Sequence, residues 1–541
     1  MSHDTTANRP LGAQISHMLK DRGVDVIFGI PGVHNQEMYR GIEEAGITHV
    51  LARHEQGAGF MADGYARASG RPGVAYVITG PGLCNIMTPM GQAYSDSVPM
   101  LVVSSCLDET AARRGQLHQM KDQRGAAETV CDWSEEARSA EAAYALVDRA
   151  LMEFDTRRAR PKHLQVPIRL LEAEAPSPPQ APKGKPANDI TGDPLAVTRI
   201  VDALKAAKRP VMIVGGGATA GASLYPKLAE AVGAAVFTSY AGRGIMPPDH
   251  PLSFGASLAR PHSAGVLNTA DLVLVVGCEL AQVDLWRDTV DCDAPMIRVD
   301  TDPRVLATHQ RARDSVVLGD AHGIMMAVLD GVADHVPTDG WSPGEIAQTR
   351  TRWRAEVSAE RPGIVPVCDA LRDCLPEGTM IYSDMTQLAY TAKEVWDMDR
   401  PGHWHHPSGF GTLGYATPAA IGGAVARKGQ PTMAIIGDYG FHYTMAELGV
   451  AVELGLPLPI ILWDNTRLGE IEDSMVRAQI APNAVTAHNP DFCKLAEAFG
   501  ARAFAPNSLA QMQELVRAAF DADGPTLVYL TPNIVNPISS D

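Results

Sequence analysis

The chain has 541 residues, with 46 Lys and Arg against 63 Asp and Glu, for a formal charge of −17. A nucleic-acid partner needs a basic face, so this balance argues against one. The length exceeds what one hydrophobic core supports and predicts about three domains.

Met1 to Pro10 is polar, and no apolar run reaches the length of a membrane span. Eight cysteines (Cys84, Cys106, Cys131, Cys278, Cys292, Cys368, Cys374 and Cys493) are scattered without a Cys-x-x-Cys pair, which predicts reduced thiols and a cytoplasmic location. Phe28-Gly29-Ile30-Pro31-Gly32 opens the first unit, with Val33 and His34 beyond it. An apolar strand, Ile47 to Leu51, then runs into Arg53-His54-Glu55-Gln56 and a helix of small residues, Gly57 to Arg67. Glu55 falls in the first turn of that helix, where a carboxylate is favourable. A second glycine-rich turn, Thr79-Gly80-Pro81-Gly82-Leu83-Cys84-Asn85, follows a buried strand, and His118-Gln119 lies further on.

Proline- and alanine-rich sequence from Glu172 to Pro194 reads as an extended linker. A second boundary spans Val332 to Pro366, where Pro337, Pro343 and Pro362 frame a short helix from Glu345 to Glu360. Between the two, strands at Arg209 to Val214 and Ala270 to Val276 flank Gly215-Gly216-Gly217. The pattern is Rossmann-like, but three consecutive glycines do not make the dinucleotide fingerprint.

In the last third, Ser383-Asp384-Met385-Thr386-Gln387 ends a strand. Backbone N–H groups at such turns approach phosphate freely, which makes Gln387 and its neighbours candidates for a diphosphate contact. His403, His405 and His406 lack further ligands for a metal and are expected in a loop at the site rim. Ser408-Gly409-Phe410-Gly411-Thr412-Leu413-Gly414-Tyr415 precedes a helix that begins near Pro418. Gly437 and Asn465 lie 28 residues apart, one strand–helix–strand crossover. That spacing puts Asp438 and Asn465 side by side at the ends of neighbouring parallel strands, where their oxygens suit Mg2+ bridged to a phosphate. A helix with Glu470, Ile471, Glu472 and Asp473 follows, then a stretch from Arg477 to Asn489 without aromatic residues. Ala66-Arg67 through Gly80 is echoed by Ala426-Arg427 through Gly437, so the first and last thirds read as duplicated α/β units.

The Gly437-Asp438…Asn465 arrangement resembles the cofactor motif of the thiamine diphosphate (ThDP) enzymes, usually Gly-Asp-Gly followed by Asn-Asn. Tyr439 stands where the second glycine is common and Asp464 where the first Asn is common; a Cβ at Tyr439 limits backbone approach to the phosphate. The turns at Phe28, Arg53, Thr79, Ser383 and Ser408 match the same family in the same order, over nearly the whole chain. The resemblance implies an α/β fold of three doubly wound parallel-sheet domains: an N-terminal pyrimidine-binding domain over 1–175, a central Rossmann-like domain over 190–335, and a C-terminal diphosphate- and Mg-binding domain over 362–541. It implies that Glu55 contacts N1′ of the aminopyrimidine and drives the tautomer whose 4′-imino group deprotonates the thiazolium C2. Pro31, Gly82, Asn85, Gln387, Gly437, Asp438, Tyr439, Gly440 and Asn465 would bind the cofactor, with Asp438, Asn465 and Arg467 at the metal. The Gly411 carbonyl would accept from the 4′-amino group, and Leu413 would be the wedge that bends the cofactor. Val33, His34, Glu470 and Ile471 fall at the substrate pocket. Some relatives bind FAD in the central domain and many bind nothing there, so a flavin stays open. In the family the two outer units face each other across a subunit boundary, which implies a homo-oligomer, a dimer of dimers.

Domain order resembles the acetohydroxyacid synthase and benzoylformate decarboxylase branch. In such enzymes the ThDP ylide attacks the carbonyl of a 2-oxo acid, CO2 leaves, and the enamine is protonated to an aldehyde or captured by a second carbonyl. Ile471 stands where yeast-type pyruvate decarboxylases place a glutamate, which argues against that activity. His118, with Gln119, occupies the region where synthases carry Phe-Gln and pyruvate decarboxylases a His pair, and is a candidate proton donor. Glu470, Glu472 and Asp473 would favour a cationic 2-oxo acid, and Leu468 to Met475 is similar to the ketoarginine decarboxylases. The expected activity is ThDP- and Mg2+-dependent, non-oxidative decarboxylation of a 2-oxo acid, the alternative an acetolactate synthase-like carboligase. A ThDP-binding subunit without turnover is a third reading, against which the joint presence of Glu55, Asp438 and Asn465 speaks.

Overall fold

The computed structural model describes residues 8–181, 192–337 and 340–535. Three six-stranded sheets, all parallel, organise them. The first contains β1 (Val26–Gly29), β2 (Thr48–Leu51), β3 (Gly73–Val77), β4 (Met100–Cys106), β5 (Trp133–Glu136) and β6 (Lys162–Pro167), in the order β2-β1-β3-β4-β6-β5. The second contains β7 (Pro210–Val214), β8 (Ala235–Thr238), β9 (Ser253–Gly255), β10 (Leu272–Val276), β11 (Met296–Asp300) and β12 (Ser315–Leu318), in the Rossmann order β9-β8-β7-β10-β11-β12. The third contains β13 (Met380–Ser383), β14 (Trp404–His405), β15 (Thr432–Gly437), β16 (Pro459–Trp463), β17 (Arg502–Phe504) and β18 (Thr526–Leu530). Its order, β14-β13-β15-β16-β18-β17, repeats that of the first sheet strand for strand. The duplication read in the sequence is therefore a duplication of topology.

Helices cover both faces of each sheet, so inner strands are continuous apolar runs rather than alternating ones. Leu272–Val276 and Thr432–Gly437 are buried throughout. The helices that carry or cover the site residues are α1 (Glu55–Ser69), α2 (Pro81–Asp96), α3 (Pro343–Glu360), α4 (Gln387–Val395), α5 (Ala416–Ala426), α6 (Asp438–Thr444) and α7 (Gly469–Arg477). The expected helix at the second boundary is α3. Its Trp353 sits in an aromatic cluster with Phe237 and Phe254 of the second sheet. Of the first linker, residues 182–191 lie outside the described residues; within its first part, Glu174–Ala175 pairs antiparallel with Arg9–Pro10.

The outer units meet along α1 and α5. A Cβ on Gly64 would stand 1.9 Å from the Ala419 carbonyl oxygen, and one on Gly422 1.9 Å from that of Met61. Glycine lets the two backbones touch, and the pairing of 61 with 422 and 64 with 419 makes the helices antiparallel.

One expectation changes here. His405 and His406 are buried, not in a rim loop: His405 lies on the edge strand β14, and His406 Nδ1 is 2.9 Å from Ser383 Oγ. The glycine turn at 215–217 is closed against β10. Gly215 donates to the Val276 carbonyl at 2.9 Å and Gly217 to that of Gly277 at 3.0 Å. N–H groups spent in this way do not fit a dinucleotide pyrophosphate at that turn.

Candidate active site

Glu55 stands at the N-terminus of α1, where His54 caps the helix by accepting the Gln56 N–H at 3.1 Å. Its carboxylate is buried and accepts the Asn85 amide at 2.8 Å. Asn85 comes from the first turn of α2, the helix that opens at Pro81 because proline is preorganised there. A Cβ on Gly82 would lie 3.3 Å from Glu55 Oε1, so Gly82 leaves the carboxyl open on that side. Pro31 and Val33 are exposed beyond the end of β1.

His34 and His118, expected in separate roles, face each other. Their rings lie 5.0 Å apart at 68°, and neither Nδ1 has a hydrogen-bond partner among the described residues. His118 adopts φ +64, a left-handed conformation uncommon outside glycine, and its carbonyl packs on Gly80. Burial, then the neighbouring His118, holds His34 below the usual imidazole range. Gln119 is spent on its own loop: its amide donates to Thr110 and Arg113 carbonyls and accepts from Gln116 N–H. It tethers His118.

The second group gathers at the carboxyl ends of β13, β15 and β16. Asp438 follows Gly437 directly, and Asn465 follows Trp463, its register partner on β16, by two residues. The Asn489 amide donates to Asp438 at 2.8 Å and to Asp464 at 2.9 Å, and the Tyr529 hydroxyl donates to the other Asp464 oxygen at 2.8 Å. Burial, with Asp464 beside it, pushes the Asp438 carboxyl up to about 6. Two carboxylates sharing one neutral donor are a site that a cation would relieve. Among the described residues, no cluster of three or more His, Cys, Asp or Glu could hold a metal. One or two carboxylates, an amide oxygen and a phosphate are what Mg2+ ordinarily uses, so these residues fit it. The Arg467 guanidinium pairs with Glu472 at 2.9 Å, which leaves only its main-chain carbonyl to serve such an ion.

Gln387 links this group to the pocket. The Asn465 amide donates to its Oε1 at 3.0 Å, its own amide lies 3.4 Å from Glu470, and Glu470 pairs with Arg361 at 3.0 Å. Ile471 is half exposed beside them. Asp384, at the end of β13, accepts the N–H groups of Met385 and Ala416 and packs on Gly440, where a Cβ would come within 3.0 Å. It thereby ties the Gly411 turn to the Asp438 turn, and burial pushes it up to about 6. Gly411 and Gly414 have φ +69 and +85, with half-buried Leu413 between them; Tyr439 is half-buried too.

The two groups do not close on each other within one chain. Glu55 is at the start of α1. Near its end Arg67 pairs with Asp96 at 2.8 Å, which in turn accepts the Gly409 N–H at 3.1 Å. Twelve residues of helix separate these ends by about 18 Å.

Asp464, Asn489, Asp384 and Arg361 are site residues that the motif reading missed. The first and third end apolar strands and could have been singled out on that ground, whereas Asn489 comes from coil and carries no signal.

Models of thiamine pyrophosphate enzymes match all three parts: the N-terminal TPP binding domain at residues 9–126, the central domain at 197–328 and the C-terminal TPP binding domain at 384–530. The chain belongs to the thiamine pyrophosphate enzymes. Within them it is similar to the "Probable 2-ketoarginine decarboxylase AruI" of Pseudomonas aeruginosa, 40% identical over 533 residues, 96% of this chain and 93% of that protein. It is also similar to a "Probable acetolactate synthase large subunit" of Methanocaldococcus jannaschii, 28% identical over 558 residues, 96% and 90% of the two chains. The acetolactate synthase isozyme 1 large subunit of Escherichia coli is 26% identical over 546 residues, 97% and 94% of the two.

Proposed function

We propose that this enzyme uses ThDP and Mg2+ to decarboxylate a 2-oxo acid to the aldehyde, in a homo-oligomer where Glu55 of one copy meets Asp438 of another. When bound, ThDP supplies a carbon nucleophile and an electron sink. Gly82 and Asn85 would set Glu55 against the pyrimidine, where a buried carboxyl could exchange a proton with N1′. Asp438, Asp464, Asn465 and Gln387 would hold the metal and diphosphate, with the Gly411 carbonyl and Leu413 at the rest of the cofactor.

The observation that carries the decarboxylase reading is the His34–His118 pair. An imidazole of this pair would give a proton to the carbon that has lost CO2; loss of the proton from its hydroxyl, with breakage of the bond to the cofactor, would then free the aldehyde. The 40% identical relative named as a 2-ketoarginine decarboxylase supports this and suggests a cationic side chain, with Glu470 as its counter-charge in exchange for Arg361. The eight free cysteines, six of them buried, fit a reducing cytoplasm. Among the described residues, no helix is long and apolar enough to cross a membrane.

The acetolactate synthase relatives favour a second reading, in which another carbonyl compound captures that carbon. Product analysis separates the two. Purified protein with ThDP, Mg2+ and a panel of pyruvate, benzoylformate, branched-chain 2-oxo acids and 2-ketoarginine should give aldehyde in step with CO2. A coupled hydroxyketone would establish carboligation instead.

A further inference from the structure

Two carboxylates outside the cofactor groups hold the turns on which those groups depend, each reaching from one outer unit into the other. Glu447, only 1% exposed, belongs to the C-terminal unit. It accepts the Arg53 N–H at 3.1 Å on each oxygen and the His54 N–H at 3.0 Å. Those N–H groups immediately precede α1, whose first residue is Glu55. A Cβ on Gly57 would stand 2.1 Å from Glu447 Oε1, so the carboxylate lies flat against the first turn of the helix.

Asp96 does the converse from the N-terminal unit. One oxygen accepts the Gly409 N–H at 3.1 Å and the other accepts from Arg67 at 2.8 Å. Arg67 also donates to Asp63 at 2.6 Å, and Asp63 accepts the Tyr415 hydroxyl at 2.7 Å. Phe410 lies on α2 where Gly91 leaves room, its ring 2.7 Å from where a Cβ would be. The turn that bears Gly411 and Leu413 is thus pinned at Gly409 and at Tyr415 by the N-terminal unit.

We infer that Glu447 and Asp96 are reciprocal positioning residues, Glu447 setting the orientation of Glu55 and Asp96 setting the cofactor turn at Gly411 and Leu413. This rests on the reading of Glu55, Gly411 and Leu413 as cofactor residues. A buried carboxylate without a salt-bridge partner, as Glu447 is among the described residues, is costly, whereas half-buried Asp96 is balanced by Arg67. A core that needed only filling would use apolar side chains at both places. What the carboxylates add is direction: Glu447 orients two main-chain donors and Asp96 one, each on a turn whose own residues must meet a ligand. Since the two clamps lie at opposite ends of the α1–α5 pair, they act on separate stages, Glu447 on proton exchange and Asp96 on cofactor binding.

The test measures two quantities on each variant: the Kd of ThDP in the presence of Mg2+, and the rate of hydrogen–deuterium exchange at thiamine C2 with ThDP saturating. E447Q is expected to slow exchange by about tenfold or more while leaving Kd within about twofold. D96N is expected to raise Kd by about tenfold while leaving exchange within about twofold. G57A keeps the charge but displaces Glu447, and should reproduce the E447Q pattern; circular dichroism confirms folding in each case. E447Q and G57A exchanging at the wild-type rate, with E55Q slow, would overturn the clamp and leave the reading of Glu55 standing. E55Q exchanging at the wild-type rate would instead remove the reading of Glu55, and with it what Glu447 positions. If D96N and E447Q shifted both quantities alike, the carboxylates would be general supports and the inference would fall.

Discussion

Asn85 donates its side-chain amide to the Glu55 carboxylate across 2.8 Å, joining the N-terminal parts of two helices whose preceding strands, β2 and β3, flank β1 in the first sheet. The bond holds one carboxyl oxygen and leaves the other facing Gly82. Replacing Glu55 by Gln should lower kcat by about 10² to 10⁴, the usual range for losing a proton-transfer group. Asn85→Ala, which frees the carboxyl without removing it, should cost about tenfold. Steady-state CO2 release on the two variants checks the order.

The separation of the two groups along α1 makes a sharper prediction about assembly. A chain carrying Glu55→Gln and a chain carrying Asp438→Asn should each be inactive alone. Mixed and reassembled, they form hybrids in which one intact Glu55 meets one intact Asp438, and activity should return to about a quarter of wild type by random pairing of subunits. Failure of any hybrid to regain activity would place both residues on the same chain's site.

His118→Phe tests the fate of the decarboxylated carbon. Without its proton source, aldehyde formation should fall about a hundredfold while CO2 loss in the first turnover persists. An added aldehyde should then compete better for that carbon, and hydroxyketone should rise as a share of product. Single-turnover CO2 release together with product chromatography distinguishes this from a loss of substrate binding.

His163 predicts an acid limit to stability. It is fully buried between Ser104 and Ser134, with ring nitrogens 2.8 and 2.7 Å from their hydroxyls, and burial pushes it down to about 3. Below its ordinary value of 6.5 the unfolded chain binds a proton that the folded chain refuses. Stability from this site is therefore complete above 6.5 and falls as pH drops toward 3. Thermal unfolding should show His163→Asn less stable than wild type at neutral pH, with the gap narrowing as the solution is acidified.

Much of the site was legible because catalysis in this fold happens at strand ends. Gly437-Asp438 and Asn465 sit where long apolar runs stop, and such runs are plain in sequence when both faces of a sheet are covered. The Glu55 turn was legible for the same reason. What the sequence hid are partners that meet only after the chain returns. His34 and His118 lie on separate loops, and Glu447 reaches a turn nearly four hundred residues away, with no period or spacing to link them. His405 and His406 were misplaced because the strand that ends at His405, just before His406, is two residues long, too short to show a pattern. Glu470, Glu472 and Asp473 on α7 read as favouring a cationic 2-oxo acid, yet Glu470 and Glu472 each already hold an arginine.

The glycines where α1 crosses α5 also govern how this chain can change over generations. What Gly64 and Gly422 touch is main chain, the carbonyls of Ala419 and Met61, not side chains that a second mutation could shrink. A bulkier residue on either helix therefore has no compensating exchange on the other. Half-exposed Ile471, by contrast, can change one residue at a time without disturbing a backbone contact of this kind. The crossing that sets the two halves of the machinery apart offers no such gradual route, and descendants of this fold must inherit it whole.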